Sequence, residues 1–132
     1  MPPTLSKSTR FLVGGLLVFL LIGQVVFSST YLTAQSYAHN GRISHNNNQW
    51  KETSWYYEQA SQWYPYNHHW WHSIGVAEKE LKQWAPSINA MEQALIHAPY
   101  FVMGYVRAAT LKYQSKDIDV AEHLVNQVEA LV

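Results

Sequence analysis

Slid against itself by 34 residues, this chain falls into register. The segment 68–99 carries Trp71, Ile74, Gly75, Trp84, Ser87, Met91, Ala94 and Pro99. One period earlier, Gly75 falls on Gly41, Trp84 on Trp50, Ser87 on Thr53, Met91 on Tyr57, Ala94 on Ala60 and Pro99 on Pro65. One period later, Trp71 falls on Tyr105, Trp84 on Ile118, Ser87 on Ala121 and Met91 on Val125. Large apolar residues alternate with small ones, and a proline closes each of the first two blocks. Two amphipathic helices in a tight antiparallel hairpin need this order, because small side chains admit close approach and proline cannot continue the second helix.

A 34-residue helix–turn–helix period resembles the tetratricopeptide repeat family. The resemblance covers residues 34–132 in three units, 34–67, 68–101 and 102–132, and implies an all-α fold, an α-solenoid of three helical hairpins. Departures exist. Glu78 and Lys112 stand where the family usually has tyrosine, Asn40 replaces the aliphatic residue before Gly41, and the last unit stops before its closing proline. The family commonly binds peptides or proteins in a groove lined by the first helix of each unit. Carried over unit by unit, the groove residues are Gln35, Arg42 and His45, then His69, His72, Val76 and Lys79, then Met103, Val106, Thr110 and Tyr113. Arg42 and Lys79 alone do not make the family's carboxylate clamp.

Residues 11–27 precede the repeats and carry no charge, with Gln24 the only polar side chain. At 1.5 Å per residue, seventeen residues reach roughly 26 Å, short of a hydrocarbon core of about 30 Å by little enough for residues 28–31 to make up. The segment has no polar stripe, as a soluble core helix would. It reads as a single transmembrane helix over residues 11–30, after a cytoplasmic tail of residues 1–10 and before a repeat domain of residues 31–132. Lys7 and Arg10 precede the span and the next positive charge is Arg42. That asymmetry orients the N-terminus to the cytoplasm and the repeats across the membrane, periplasmic if the membrane is a bacterial inner membrane. The rival reading is a cleaved signal peptide, with residues 11–23 as its apolar region and a cleavage site near residues 26–28.

Within the repeats, helices are expected over residues 34–45 (continuous with the membrane helix), 50–63, 68–82, 86–97 and 101–114, with a last helix reaching Leu131. Asn46, Asn47 and Asn48 form a polar turn that can supply an N-cap, Asn67 can cap the third helix, and Asp117 or Asp119 the last. Pro86 suits a first helical turn. Trp50, Tyr57, Trp71 and Trp84 fit packing positions. Trp55, Tyr56, Trp63, Tyr64, Tyr66 and Trp70 exceed what the repeat needs, and some are expected at the lipid headgroups or in an interface. The last helix leaves Leu124, Val125, Val128 and Leu131 as an apolar terminal interface, for a partner or a second copy.

Nine basic and nine acidic residues balance, which gives no case for nucleic acid. With no cysteine, disulfides and thiolate chemistry are excluded. His68 and His72 share a helix face, yet without a third ligand they do not define a metal site. Glu78 and Glu80 diverge, Glu52 and Glu58 read as solvated, and no nucleophile elbow, phosphate loop or HExxH is present, so neither catalytic residues nor a cofactor are expected. The expectation is a noncatalytic, membrane-anchored scaffold that binds other envelope proteins. An alternative rests on a second resemblance. An apolar helix running into repeats with the phrase Ala-x-x-x-x-Pro (Ala60 to Pro65, Ala94 to Pro99) is similar to the C-terminal tails of O-antigen ligase and polymerase-type enzymes, making the chain a tail of, or accessory to, surface-polysaccharide synthesis. The start at Met1 favours a separate gene product. A third reading is end-to-end self-assembly into a homo-oligomer.

Overall fold

The computed structural model describes residues 7–114 and 118–131. It contains six helices and, among the described residues, no strand: α1 (Lys7–Asn46), α2 (Trp50–Trp63), α3 (His68–Glu80), α4 (Trp84–His97), α5 (Val102–Gln114) and α6 (Ile118–Glu129). Each packs on its chain neighbours in an antiparallel stack, α1 with α2, α2 with α3, and so on to α6. This is the α-solenoid of helical hairpins. The apolar N-terminal helix runs into the first repeat helix without a break, so α1 is 40 residues long.

The two faces of α1 differ along its length. From Phe11 to Phe27 every large apolar side chain is exposed. Beyond it, Ala34, Ala38 and Gly41 are buried against α2. A Cβ added to Gly41 would lie 3.0 Å from the Tyr57 ring, and one on Gly75 only 2.7 Å from Met91 Cε. At both places the second helix lies almost on the backbone of the first. Ser87 reinforces the second contact, its buried hydroxyl donating to the Gly75 carbonyl at 2.6 Å. Two apolar clusters result. One gathers Ala34, Ala38, Tyr57, Ala60, Trp70, Ile74 and Ala90, and the other Met91, Leu95, Ala108 and Leu111.

The turns inside the units repeat as faithfully as the packing. Asn48 and Lys82, one period apart, both take left-handed backbone, with φ of 57° and 59°. Just after each, the amide three residues past the helix end reaches back five residues, Gln49 to the Ser44 carbonyl and Gln83 to the Glu78 carbonyl, both at 2.9 Å. This is a Schellman termination, which ordinarily places glycine at the left-handed position. It ends α3 at Glu80 rather than Lys82, and it uses Asn48 to close α1 rather than to cap α2. Gln49 precedes α2 with no side-chain cap. Asn67 does cap α3, accepting from the His69 amide at 3.1 Å. The expected turn at 115–117 and the side chain of Asp119 lie outside the described residues.

Two aromatic assignments are corrected. Trp84 is 38% exposed rather than in the core. It is the first residue of α4, at the turn that closes the hairpin, where solvent reaches the ring. Trp70, counted as surplus, is buried at 6% and joins the first cluster. Trp71 is half-buried, its indole N–H donating to the Pro65 carbonyl at 2.7 Å and tying α3 to the turn before it.

Two substitutions test this account by the denaturation midpoint. Gly75→Val forces Met91 out of its place and should destabilise by about 1–3 kcal/mol. Lys82→Gly relieves a left-handed non-glycine residue and should stabilise by up to about 1 kcal/mol. A stabilised Gly75→Val or a destabilised Lys82→Gly contradicts the packing and turn assignments respectively.

Candidate protein-binding groove

The first helix of each unit, α1 beyond residue 34, α3 and α5, carries the residues expected to line a groove. The residues expected there divide into two sites. Gln35 and Arg42 line a pocket of about 230 Å³ with Ala38, His39, Tyr57 and Trp70. Arg42 lies 3.3 Å from His39 Nδ1, and Gln35 donates to the Tyr31 hydroxyl at 2.8 Å. Burial raises the Tyr57 phenol above its ordinary value, while a hydrogen bond with Ser73 and the charge of Arg42 pull it back. These groups therefore face one another across α1, α2 and α3.

The middle of the groove is a cluster of nitrogen bases. His72 is pushed down from 6.5 to about 4, first by burial and then by Arg107, His69, His68 and His45. Its Nε2 is buried and has no hydrogen-bond partner among the described residues. Phe101 packs against its ring, centroids 5.3 Å apart. His68 and His69 stack on each other at 3.9 Å instead of converging with His72 on one point. Among the described residues no three histidine or carboxylate side chains gather to hold a metal ion.

The repeat helices segregate charge. On the groove-bearing helices stand Arg42, Lys79, Arg107 and Lys112, against Glu78 and Glu80. Glu78 is buried and accepts a short hydrogen bond from Ser54 on α2, and Glu80 pairs with Lys79 at 3.7 Å. The alternate helices α2, α4 and α6 carry Glu52, Glu58, Glu92, Asp119, Glu122 and Glu129, with Lys51 the single opposing residue. Glu92 holds Lys112 at 3.2 Å. A net charge of zero thus conceals an uneven sharing of charge between the two sets of helices. Glu58 is not simply solvated: partial burial, then the Glu78 carboxylate, raise its carboxyl above the ordinary range, with Ser54 opposing.

Three groove residues escape the carry-over: His39, Ser73 and Arg107. They are spaced by one period, so the 34-residue register contains the signal. Val76, by contrast, is half-buried against Met91, Leu95 and Leu111.

The third unit belongs to another site. Val106, Thr110 and Tyr113 line an apolar cleft of about 520 Å³ between α5 and α6, with Ala109, Ala121, Val125, Asn126 and Val128. Val125 and Val128 occupy the positions of Met91 and Ala94 one period earlier, which α5 covers. Leu124 instead packs inward on the second core cluster, while Met103 and Leu131 remain exposed.

No family model matches the sequence, and no curated protein matches it. Solved structures do. The TPR2B domain of yeast Sti1, in a complex with an Hsp70 peptide, superposes with a TM-score of 0.70 at 18% identity, covering 76% of this chain and 80% of that one. The first TPR domain of Spaghetti (RPAP3), bound to the HSP90 peptide SRMEEVD, gives 0.67 at 17% identity, with 76% and 81% covered. MamA gives 0.72 at 13% identity, with 76% of this chain and 59% of that one. At these identities the likeness is one of fold, and that fold is tetratricopeptide-like.

The depressed His72 has a testable sign. A histidine held neutral in the fold favours the folded state above pH 6.5, and that contribution is lost as pH falls from 6.5 toward about 4, where only the unfolded chain takes the proton. His72→Asn should flatten the fall in melting temperature across this interval relative to the parent chain. An unchanged slope contradicts the buried, neutral imidazole.

Proposed function

We propose that this protein is a noncatalytic, membrane-anchored scaffold whose basic groove holds an acidic segment of a partner protein. The observation that carries the proposal is the segregation of Arg42, Arg107 and the histidine cluster onto the groove-bearing helices. Basic donors gathered on one set of helices can be paired by anionic side chains or a chain carboxylate. The acidic HSP90 peptide on RPAP3 supports the chemistry by analogy of fold. Among the described residues the Glu58–Ser54–Glu78 cluster lines neither of the two clefts described nor the surface pocket beside Trp55, which favours a structural part for it.

The anchor rests on α1. Thirteen large apolar side chains between Phe11 and Phe27 point outward with nothing in the fold to cover them. At roughly −0.3 to −0.6 kcal/mol each on the insertion scale, they favour the bilayer over water. The same helix suits a signal sequence by length and composition. N-terminal sequencing of the protein from membranes separates the two, since a mature chain beginning near Ser29 removes the anchor.

The cleft between α5 and α6 favours a second reading, assembly with another copy or a partner helix. In the earlier units the same face receives the first helix of the next unit.

For the groove, the full chain with Arg42→Glu and Arg107→Glu is compared with the parent for proteins that copurify from native membranes. The charge-reversed chain should lose a partner that the parent retains, and added salt should weaken the parent's capture. An identical partner set at every salt concentration refutes the groove. Val125→Asp tests the cleft separately, with a lower assembly state expected by size-exclusion chromatography.

A further inference from the structure

We infer that the edge of the solenoid nearest the apolar helix is a second membrane-contacting surface, an aromatic strip that lies in the headgroup layer of the bilayer. This inference rests on the reading of α1 as a membrane span.

The placement follows from antiparallel packing. α1 runs away from the apolar segment, so α2 returns toward it, α3 leaves again and α4 returns. The turns between units, at residues 64–67 and 98–101, therefore share the edge where α1 emerges. Ring contacts confirm the neighbourhood. Tyr31 of α1 meets Tyr64 with centroids 5.5 Å apart, Tyr64 meets Tyr66 at 5.6 Å, and Tyr66 meets His97 at the end of α4 at 5.8 Å. The opposite edge holds the turns within the units, at residues 46–49 and 81–83.

The chemistry of the two edges differs. The near edge exposes Trp63 at 49%, Tyr66 at 67% and Tyr100 at 84%. No Lys, Arg, Asp or Glu occurs in residues 62–67 or 97–101. The far edge carries Asn46, Asn47, Asn48 and Gln49, then Lys82 and Gln83, with Trp84 beside them less exposed, at 38%, than the near-edge rings. Tyrosine and tryptophan with an exposed ring and a polar tip favour the membrane interface over both water and hydrocarbon.

The heights agree as well. Tyr31 lies one residue past the expected end of the span at residue 30 and four past Phe27, roughly 1.5 to 6 Å along the helix, and the polar layer of one leaflet is about 5–8 Å deep. Tyr64, in contact with Tyr31, therefore falls within that layer. Lacking fixed charge, the strip would take zwitterionic phospholipid and need no anionic lipid. A consequence is that the groove opens sideways, along the membrane plane.

Because the chain has no cysteine, single labels test the inference cleanly. The full chain is reconstituted in phosphatidylcholine nanodiscs with a fluorophore at Gln62→Cys or Pro99→Cys (near edge), Gln49→Cys or Gln83→Cys (far edge), or Leu20→Cys (span). Lipid-borne quenchers at shallow depth should quench the near-edge labels, aqueous iodide the far-edge labels, and deep lipid quenchers Leu20→Cys. Adding Trp63→Ser, Tyr66→Ser and Tyr100→Ser to Gln62→Cys should abolish its lipid quenching. Phosphatidylglycerol in place of phosphatidylcholine should change nothing. If Leu20→Cys is lipid-quenched while the near-edge labels respond to iodide as the far-edge ones do, the anchor stands and the strip is refuted, leaving those aromatics to a protein. Lipid quenching that survives the triple serine change also refutes it. If Leu20→Cys itself is not lipid-quenched, the span fails and the strip with it.

Discussion

The fold depends on how closely two helices approach within a unit. At Gly75 the Met91 side chain occupies the space a Cβ would need, and Ser87 bonds to the carbonyl of that same glycine. At Gly41 the Tyr57 ring does the equivalent. Close approach leaves little room for large side chains between the pair, so alanines dominate the interior and the larger apolar groups lie between units. Ala60, Ala77, Ala94 and Ala108 are wholly buried, while Trp70, Ile74, Leu95 and Leu111 join one hairpin to the next. A small core can therefore be continuous along the stack although no hairpin closes one alone.

Stacking also sorts charge. Once hairpins are stacked in register, positions one period apart lie side by side on the same face, and Arg42, Arg107 and the histidines collect there. Burial first, and then Arg107 and the neighbouring histidines, make the protonated imidazole of His72 unfavourable, which keeps it neutral. The acidic residues collect on the alternate helices. A chain of zero net charge thus divides its charges unevenly between the two sets of helices, with a long apolar helix at one end.

Much of this was legible beforehand, for a physical reason. A repeat states its packing rules several times, so Gly41 with Gly75, Ala60 with Ala94 and Pro65 with Pro99 confirm one another. The hairpins, most helix ends and the Asn67 cap follow from it. What the pattern misjudged were residues whose fate depends on where a neighbouring helix stops. Trp84 fits a packing position yet sits at the turn between α3 and α4, where it is 38% exposed. Trp70 fits none, and the space between α1, α2 and α3 takes it; at the same position one period later Gly104 is required, because a Cβ there would lie 2.6 Å from Phe101 and 2.9 Å from Leu95. The sequence pattern predicts a turn at Asn48 but helix at Lys82, since left-handed backbone at a lysine has no strong sequence signal.

By itself the sequence determined the period, the hairpin, the apolar span and the lack of thiol chemistry, because each follows from local spacing and composition. Only the tertiary structure decided which side chains share a surface. It joined His39, Ser73 and Arg107 to the expected groove and moved Val106, Thr110 and Tyr113 to a terminal cleft with Val125 and Val128. It also set the exposed Trp63, Tyr66 and Tyr100 on the same edge as the emerging apolar helix. Those groupings arise from the direction of antiparallel helices and from which face the next helix covers, and neither is written in any one stretch of chain.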